Sequence, residues 1–599
     1  MIIYMEKFFN IIKEQCSRLS ALNAPLPLGR GWGWVLVAFL FSGCGDFLEV
    51  EPQDKIVLEK FWNEKADVDN VLIGCYSAMQ SENVLDRIMV WGEFRSDNIE
   101  PGTEVNSDIN IQRILNENID ATNGYTTWDG LYDVINRLNT VLLYAPKVSA
   151  KDPAYSETML KATIAEAKAL RALCYFYLIR TFRDVPFSTE AYTDDNQKMD
   201  VAATSFDEIL TYLINDLEGV QNDAMITYPK TQALYKTGRI TQQAIHALLC
   251  EMYLWKKDYA NCVKYADLVI KRDSLDYAEK YEGMTPDKEG RLNGFPLELS
   301  RIGTSSTYGN EYFYIFGKQN TSVAVGSGDE VIFELAFMEN DNMLQNASVN
   351  RFYGSGAKSN AERGIVAPSD RFVISDNANK SIYTKTDSRY YENLYNVRGD
   401  IYGVGKFIIK DLLISSSDPT KMATVSYLGK QTAGHNHANW IIYRLTDIML
   451  LKAEALVEMG ADNSTELTEA FKLVQAVNNR SLCESPLSTA QNKLNQNNYK
   501  KQTQMRELVL KERQRELMFE GKRWYDLVRR SLRDGNTSVL ASAVAEKKMD
   551  ASAAASQRLK KIDAIFWPYN LEEMRVNHSL KQNPAFSSGE NSSYSNTGK

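Results

Sequence analysis

The chain has 599 residues, a net charge of −9 and 44% hydrophobic residues. That is the composition of a folded globular protein with enough chain for a large core. Its acidic balance, with no basic cluster carrying interleaved aromatics, excludes nucleic acid as the partner to which the sequence points.

The first predicted element is a leader. A short apolar run, Trp34 to Phe41, is closed by Ser42 and Gly43 and followed by Cys44. Small residues before a cysteine, behind such a run, read as a bacterial lipoprotein cleavage site. Residues 1–43 are expected to leave as a signal peptide, with lipid on Cys44. The run is too short for the roughly 20 residues of a membrane-spanning helix. The lipid is therefore the expected membrane attachment, at about 0.8 kcal/mol per buried CH₂.

Helical patterns dominate next. Phe61 to Met79 is predicted as a helix. Thr127 to Tyr144 carries Trp128, Leu131, Ile135, Leu138 and Leu142 at spacings of three and four, the period of an apolar helix face. Glu157 to Phe182 and Phe206 to Gly219 follow. Thr241 to Trp255 and Tyr259 to Ile270 read as a helical hairpin around Lys256-Lys257-Asp258. Its alanines 244, 247, 260 and 266 allow close packing. Such pairs look like tetratricopeptide-type units, although no 34-residue period repeats.

From about 276 to 440 the chain turns rich in Gly, Ser, Asn and Tyr, with strand-like pieces at Glu311 to Phe316 and Glu330 to Leu335. This reads as a loop-rich insertion on a helical body. Helices are predicted again at Ile441 to Met459, Thr465 to Asn478 and Gln502 to Arg530. The tail 587–599 has a disordered composition. The expected organisation is one domain, 44–599. Its helical scaffold spans about 55–275 and 441–586, and the insertion spans 276–440.

Enzyme chemistry finds little support. Of the seven cysteines, Cys16 leaves with the leader and Cys44 is lipidated; the five others are widely spaced, so no disulfide framework is expected. Cys174 and Cys250 sit in apolar helical stretches and read as small core residues. His435-Asn-His437 has metal-like spacing without a nearby Cys or carboxylate, and zinc spacing is absent. Gly403-Val-Gly405-Lys406 lacks the phosphate-loop spacing, and no Gly-x-Ser-x-Gly elbow occurs. The many carboxylates single out no glycosidase pair. The expectation is a binding protein without catalytic residue, metal or cofactor.

One segment is specific. Lys511-Glu-Arg-Gln-Arg-Glu-Leu-Met-Phe-Glu-Gly-Lys-Arg-Trp-Tyr-Asp-Leu-Val-Arg529 resembles the C-terminal signature of the SusD/RagB family, surface lipoproteins of Bacteroidetes in nutrient uptake. Other pieces occur in the family's order. They include Cys44-Gly-Asp-Phe-Leu, Trp128-Asp-Gly-Leu-Tyr, Glu166 to Leu173 followed by Asp184-Val-Pro186, Gly238-Arg239, Asp329 to Phe333, Asp387-Ser-Arg389, Tyr443 to Leu450 and Trp567-Pro568. Arg183 departs from the pattern, which has Gly before Asp-Val-Pro. In the signature itself, Leu517, Trp524 and Leu527 are predicted to face the core. Glu512, Arg515, Glu516, Glu520 and Arg523 are predicted to pair along the helix.

The resemblance implies a mainly α SusD-like fold, a cell-surface position on the outer membrane, and a SusC-like TonB-dependent transporter as partner. It also implies a glycan ligand held by loops above the scaffold. Ligand contacts in the family come from the early loop, here Arg95, Asp97 and Asn98, and from the central insertion. In that insertion Tyr308, Tyr312 and Tyr314 lie in Gly/Asn-rich sequence. If Tyr312, Tyr314 and Phe316 share a strand face, they form a platform for sugar C–H groups, with amide and carboxylate side chains bonding the hydroxyls. Tyr390 and Tyr391 form a second patch. The alternatives are a peptide-binding uptake lipoprotein on the same scaffold, a structural transporter lid, and a glycosidase.

Overall fold

The computed structural model describes residues 61–194, 196–280, 295–297, 315–316, 330–337, 345–354, 364–372, 381–384, 387–395, 403–407, 410–413, 424–427, 437–481, 494–547 and 552–587. The protein is mainly helical. The longer helices are α1 (Lys65–Met79), α2 (Glu82–Met89), α3 (Asp129–Ser149), α4 (Glu157–Phe182), α5 (Phe206–Glu218), α6 (Gln242–Trp255), α7 (Tyr259–Lys280), α8 (Leu445–Met459), α9 (Thr465–Arg480), α10 (Gln502–Leu517) and α11 (Arg523–Asp534).

Side chains start several of these helices by satisfying their first free N–H groups. The Ser156 hydroxyl accepts from Met159 N at the head of α4. Ser205 and Glu208 cap each other's backbone at α5, and Thr241 Oγ1 accepts from Ala244 N at α6. The predicted stripe of α3 is buried at Trp128, Leu131, Ile135 and Leu138. From Ala165 onward nearly every side chain of α4 is buried, so this helix runs through the core instead of lying on it.

Helix α4 packs against α3, and α3 against α1. Helices α6 and α7 form the predicted hairpin; α7 then packs on α8, and α8 on α9 and α10. One hydrophobic cluster spans α1 to α7 and the inner part of the insertion. A second joins α8, α9 and α10 around Met449, Phe471 and Val509.

The structure corrects two predicted helices. Trp440–Arg444 is a strand, and α8 begins only at Leu445. The run Trp-Ile-Ile-Tyr-Arg is β-branched and aromatic, which suits a pleated surface. It pairs antiparallel with Val331–Leu335, and every residue of both strands is buried. This two-stranded ribbon brings together the two ends of the stretch 336–439, the later part of the insertion. A second ribbon pairs Ile99–Pro101 with Val366–Pro368. The predicted helix 502–530 is likewise two helices, α10 and α11. Phe519 and Gly521, both at φ 70°, turn the chain between them.

Arg183 ends α4, also at φ 70°. With ψ −74° and Asp184 N–H bonded to the Phe182 carbonyl at 3.1 Å, an arginine thus occupies a strained γ-turn that glycine tolerates more readily. Its guanidinium holds Asp563 at 2.7 Å and Asp184 at 3.1 Å. Among the described residues no helix is long and apolar enough to cross a membrane, and Cys75, Cys174, Cys250 and Cys262 are buried thiols.

Candidate functional site

The early loop follows α2 through a wide helical turn at Val90–Phe94. Its polar residues are inside. Arg95 donates to Glu117 Oε2 at 2.8 Å and to the carbonyls of Ala564 and Ile565 at 2.8 and 3.0 Å, with its guanidinium 4.2 Å above the Trp524 ring. Asp97 accepts from Arg523 at 2.8 and 3.0 Å and from Gln514 at 3.0 Å, with Arg371 at 3.2 Å. Burial alone would raise the Asp97 carboxyl. The Arg523 guanidinium, with Arg371 and Gln514, outweighs it and holds the group well below the usual carboxylate range. Asn98 donates to Glu93 at 2.7 Å and accepts from Gln514 at 2.8 Å.

Arg95, Asp97 and Asn98 are therefore not exposed ligand contacts. All three are at most 2% exposed, and each is committed to a partner within the fold. The loop is welded to the C-terminal signature. Glu93 strengthens the weld by accepting the backbone N–H groups of Phe519 and Gly521, each at 3.1 Å. Burial raises the Glu93 carboxyl to about 7.

Tyr390 and Tyr391 are corrected in the same way. They lie on the short helix Ser388–Asn393, are 3% and 4% exposed, and pack on each other, with Tyr390 also against Tyr383. Tyr308, Tyr312, Tyr314 and Cys44 lie outside the described residues, as does His435. Phe316, the third member of the predicted platform, is core: its ring meets Phe407 at 5.5 Å, with Lys406 and Arg444 over it.

The signature turns outward from its own helix instead of pairing along it. Only Arg515 reaches Glu512 within α10. Glu516 accepts from Arg444 at 2.6 Å and from Arg389 at 3.0 Å, and also pairs with Arg480. Glu512 holds Arg389 at 2.8 Å. Glu520 takes Lys406 at 2.7 Å and Arg444 at 2.8 Å. Arg513 bridges Asp447 and Asp526, each at 2.9 Å, and Arg480 holds Glu330. Burial penalises the Glu516 carboxylate, yet Arg480, Arg444 and Arg389 together keep its pKa well below 4.5.

Sequence reasoning missed the far partners Glu330, Arg389, Lys406, Asp447 and Arg480. Arg389 and Asp447 sit in motifs already quoted, which was the available signal. The network ties the insertion, the ribbon and helices α8 to α11 into one body. Each of these buried charges is matched by an opposite one, as burial requires. That is the chemistry of a rigid frame. Among the described residues no group of three His, Cys, Asp or Glu is placed to hold a metal ion.

Comparison with known proteins decides the family. Residues 329–586 match the pattern described as the SusD family, and residues 46–254 match one described as starch-binding, associating with the outer membrane. The chain belongs to the SusD/RagB family. Its SusD-like relatives include SusD-like protein P38 of Formosa agariphila, 24% identical over 82% of this chain and 88% of that protein. The starch-binding protein SusD of Bacteroides thetaiotaomicron is 24% identical over 61% of this chain and 63% of that one. Among solved structures, a SusD homolog from Bacteroides thetaiotaomicron superposes with a TM-score of 0.63 at 18% identity, covering 88% of this chain and 98% of that chain. A laminarin-binding SusD-like protein gives 0.57 at 20% identity, covering 87% and 100%. At these identities the structures establish the SusD fold, and the buried frame described above is how this SusD-family chain builds it.

Proposed function

We propose that this chain is a non-enzymatic glycan-binding lipoprotein of the cell surface. It is anchored through Cys44, captures oligosaccharides, and delivers them to a SusC-like TonB-dependent transporter. The 276–440 insertion supplies the ligand contacts, with Tyr308, Tyr312 and Tyr314 as the stacking residues.

The observation that carries this reading is the burial of Ile315 and Phe316, 0% and 1% exposed. These two residues fasten the chain to the frame immediately after Tyr312 and Tyr314. A platform held at one end by rigid packing loses less freedom when it binds. The starch-binding relative and the laminarin-binding structural neighbour have names that specify glycans, and the same ligand class is assigned here. Affinity per site is weak, because sugar hydroxyls exchange water bonds for protein bonds with little net gain.

Affinity electrophoresis of residues 45–599 through a panel of polysaccharide gels tests this. Retardation by one glycan class, lost in Tyr312→Ala or Tyr314→Ala, supports capture. Migration unchanged by every glycan sinks it and turns attention to peptides.

A further inference from the structure

The seam between α6 and α7 holds two thiols in contact. Cys250 lies on α6 and Cys262 on α7, and their Sγ atoms are 3.6 Å apart. Neither side chain is exposed. The helices are joined by Lys256, Lys257 and Asp258 alone, with Lys257 at φ 63° reversing the chain. Buried Ala244, Ala247 and Ala266 keep the two helices close. Cys262 Sγ also lies 3.9 Å from the Leu451 carbonyl oxygen, so the pair sits where the hairpin meets α8. Cys174 differs in that its Sγ contacts the Met79 sulfur at 3.6 Å.

We propose that Cys250 and Cys262 are oxidised to a single intrachain disulfide that staples the α6–α7 hairpin of the exported protein. The oxidant is a disulfide-bearing thiol oxidase. One cysteine thiolate attacks its disulfide, forming a mixed disulfide and releasing the first carrier thiolate. The second cysteine thiolate then displaces the remaining carrier sulfur. One S–S bond forms in the chain and one breaks in the carrier. Two electrons pass to the carrier, and the two protons released by the cysteines end on its two thiols.

Oxidation precedes closure of the core. Only the thiolate reacts, and in the packed hairpin burial, reinforced by Cys262, pushes the Cys250 thiol well above its ordinary range. A separation of twelve positions makes the encounter local, before α8 covers it. Disulfides persist in oxidising compartments, so the inference rests on the export reading for its location and on the thiol contact for its pairing.

The test uses full-length protein made in its own cell, purified without reductant, blocked with N-ethylmaleimide in denaturant and digested with trypsin. The expected result is a joined species of peptides 240–256 and 258–264, two hydrogens lighter than the sum. It is lost when the intact protein is treated with dithiothreitol in guanidinium before blocking and digestion, and it survives when the folded protein is treated with the same reductant in native buffer. Recovery of both peptides singly blocked overturns the proposal, as does either one joined to a peptide carrying Cys75, Cys174 or Cys483. The same digest shows whether the Cys44 peptide carries lipid, so failure of the staple and failure of the export reading are separate results. A Cys250→Ala, Cys262→Ala double variant must lose the joined species and keep every other one.

Discussion

Gly92 and Gly521 cross with no room for a methyl group between them: a Cβ on Gly92 would lie 2.0 Å from the Gly521 carbonyl oxygen. The obstructing atoms are backbone, and Gly521 is itself held at φ 70° with its N–H bonded to Glu93. Gly92→Ala must push the early loop off the signature. We expect it to cost at least about 3 kcal/mol, the upper range for overpacking, read as a fall in thermal midpoint. An unchanged midpoint would mean that the crossing is looser than described.

Glu516 is the charge on which three arginines converge. Glu516→Gln leaves the cluster of Arg389, Arg444 and Arg480 one negative charge short in the core, with Glu512, Glu520 and Glu330 still facing them. Breaking a buried pair costs roughly 3–5 kcal/mol, so this variant should fold poorly or not at all. The exposed pair of Glu572 and Arg575 is the control. Glu572→Gln should change stability by less than about 1 kcal/mol. Equal urea midpoints for the two variants would refute the ranking.

Acid sensitivity should be read at Glu454. Burial raises this carboxyl, but the Arg529 guanidinium, then Arg533, lower it to about 2 from 4.5. A depressed folded pKa means that the unfolded chain binds more protons between these values, so stability falls as pH drops. The contribution is complete above about 4.5 and gone below about 2. Glu454→Gln should therefore be less stable than the parent at pH 7, by roughly 3 kcal/mol at most. The difference should shrink steadily below pH 4.5. A gap that stayed constant down to pH 2.5 would rule out this linkage.

Arg183 gives a prediction of opposite sign to ordinary mutational loss. A non-glycine residue held in so sparsely populated a backbone conformation costs about 1–3 kcal/mol, which the contacts with Asp563 and Asp184 offset. Arg183→Ala keeps the backbone cost and loses the contacts. Arg183→Gly loses the contacts and relieves the backbone. The glycine variant should melt above the alanine variant by about 1 kcal/mol of stability.

The helices were legible in the sequence because their periodicity is local. Glu157 to Phe182 was delimited correctly at both ends, since Ser156 caps one and Arg183 breaks the other. The ribbon strand at Trp440 was absorbed into a helix, although its β-branched and aromatic run carried the signal. The break at Gly521 was likewise signalled by a glycine inside a helical pattern. The early loop could not be read. Arg95, Asp97 and Asn98 are polar residue types that default to the surface, and the partners that draw Asp97 and Asn98 inward, Gln514 and Arg523, lie more than 400 positions away. Separations of 127 and 72 positions hid the reach of Glu516 to Arg389 and Arg444. For the site, the sequence could propose aromatic residues, but it could not tell Phe316, which is core, from its neighbours.

The ribbon of Val331–Leu335 and Trp440–Arg444 makes the stretch between them an exchangeable cassette with a fixed entrance and exit. Its length and composition can then vary without redesigning the body that carries it. The exchange has a condition: Arg389 and Lys406 lie inside the cassette and share Glu512, Glu516 and Glu520 outside it with Arg444 and Arg480 of the body. A transplanted cassette must bring two cations to the same places, or the recipient's buried carboxylates are left under-compensated.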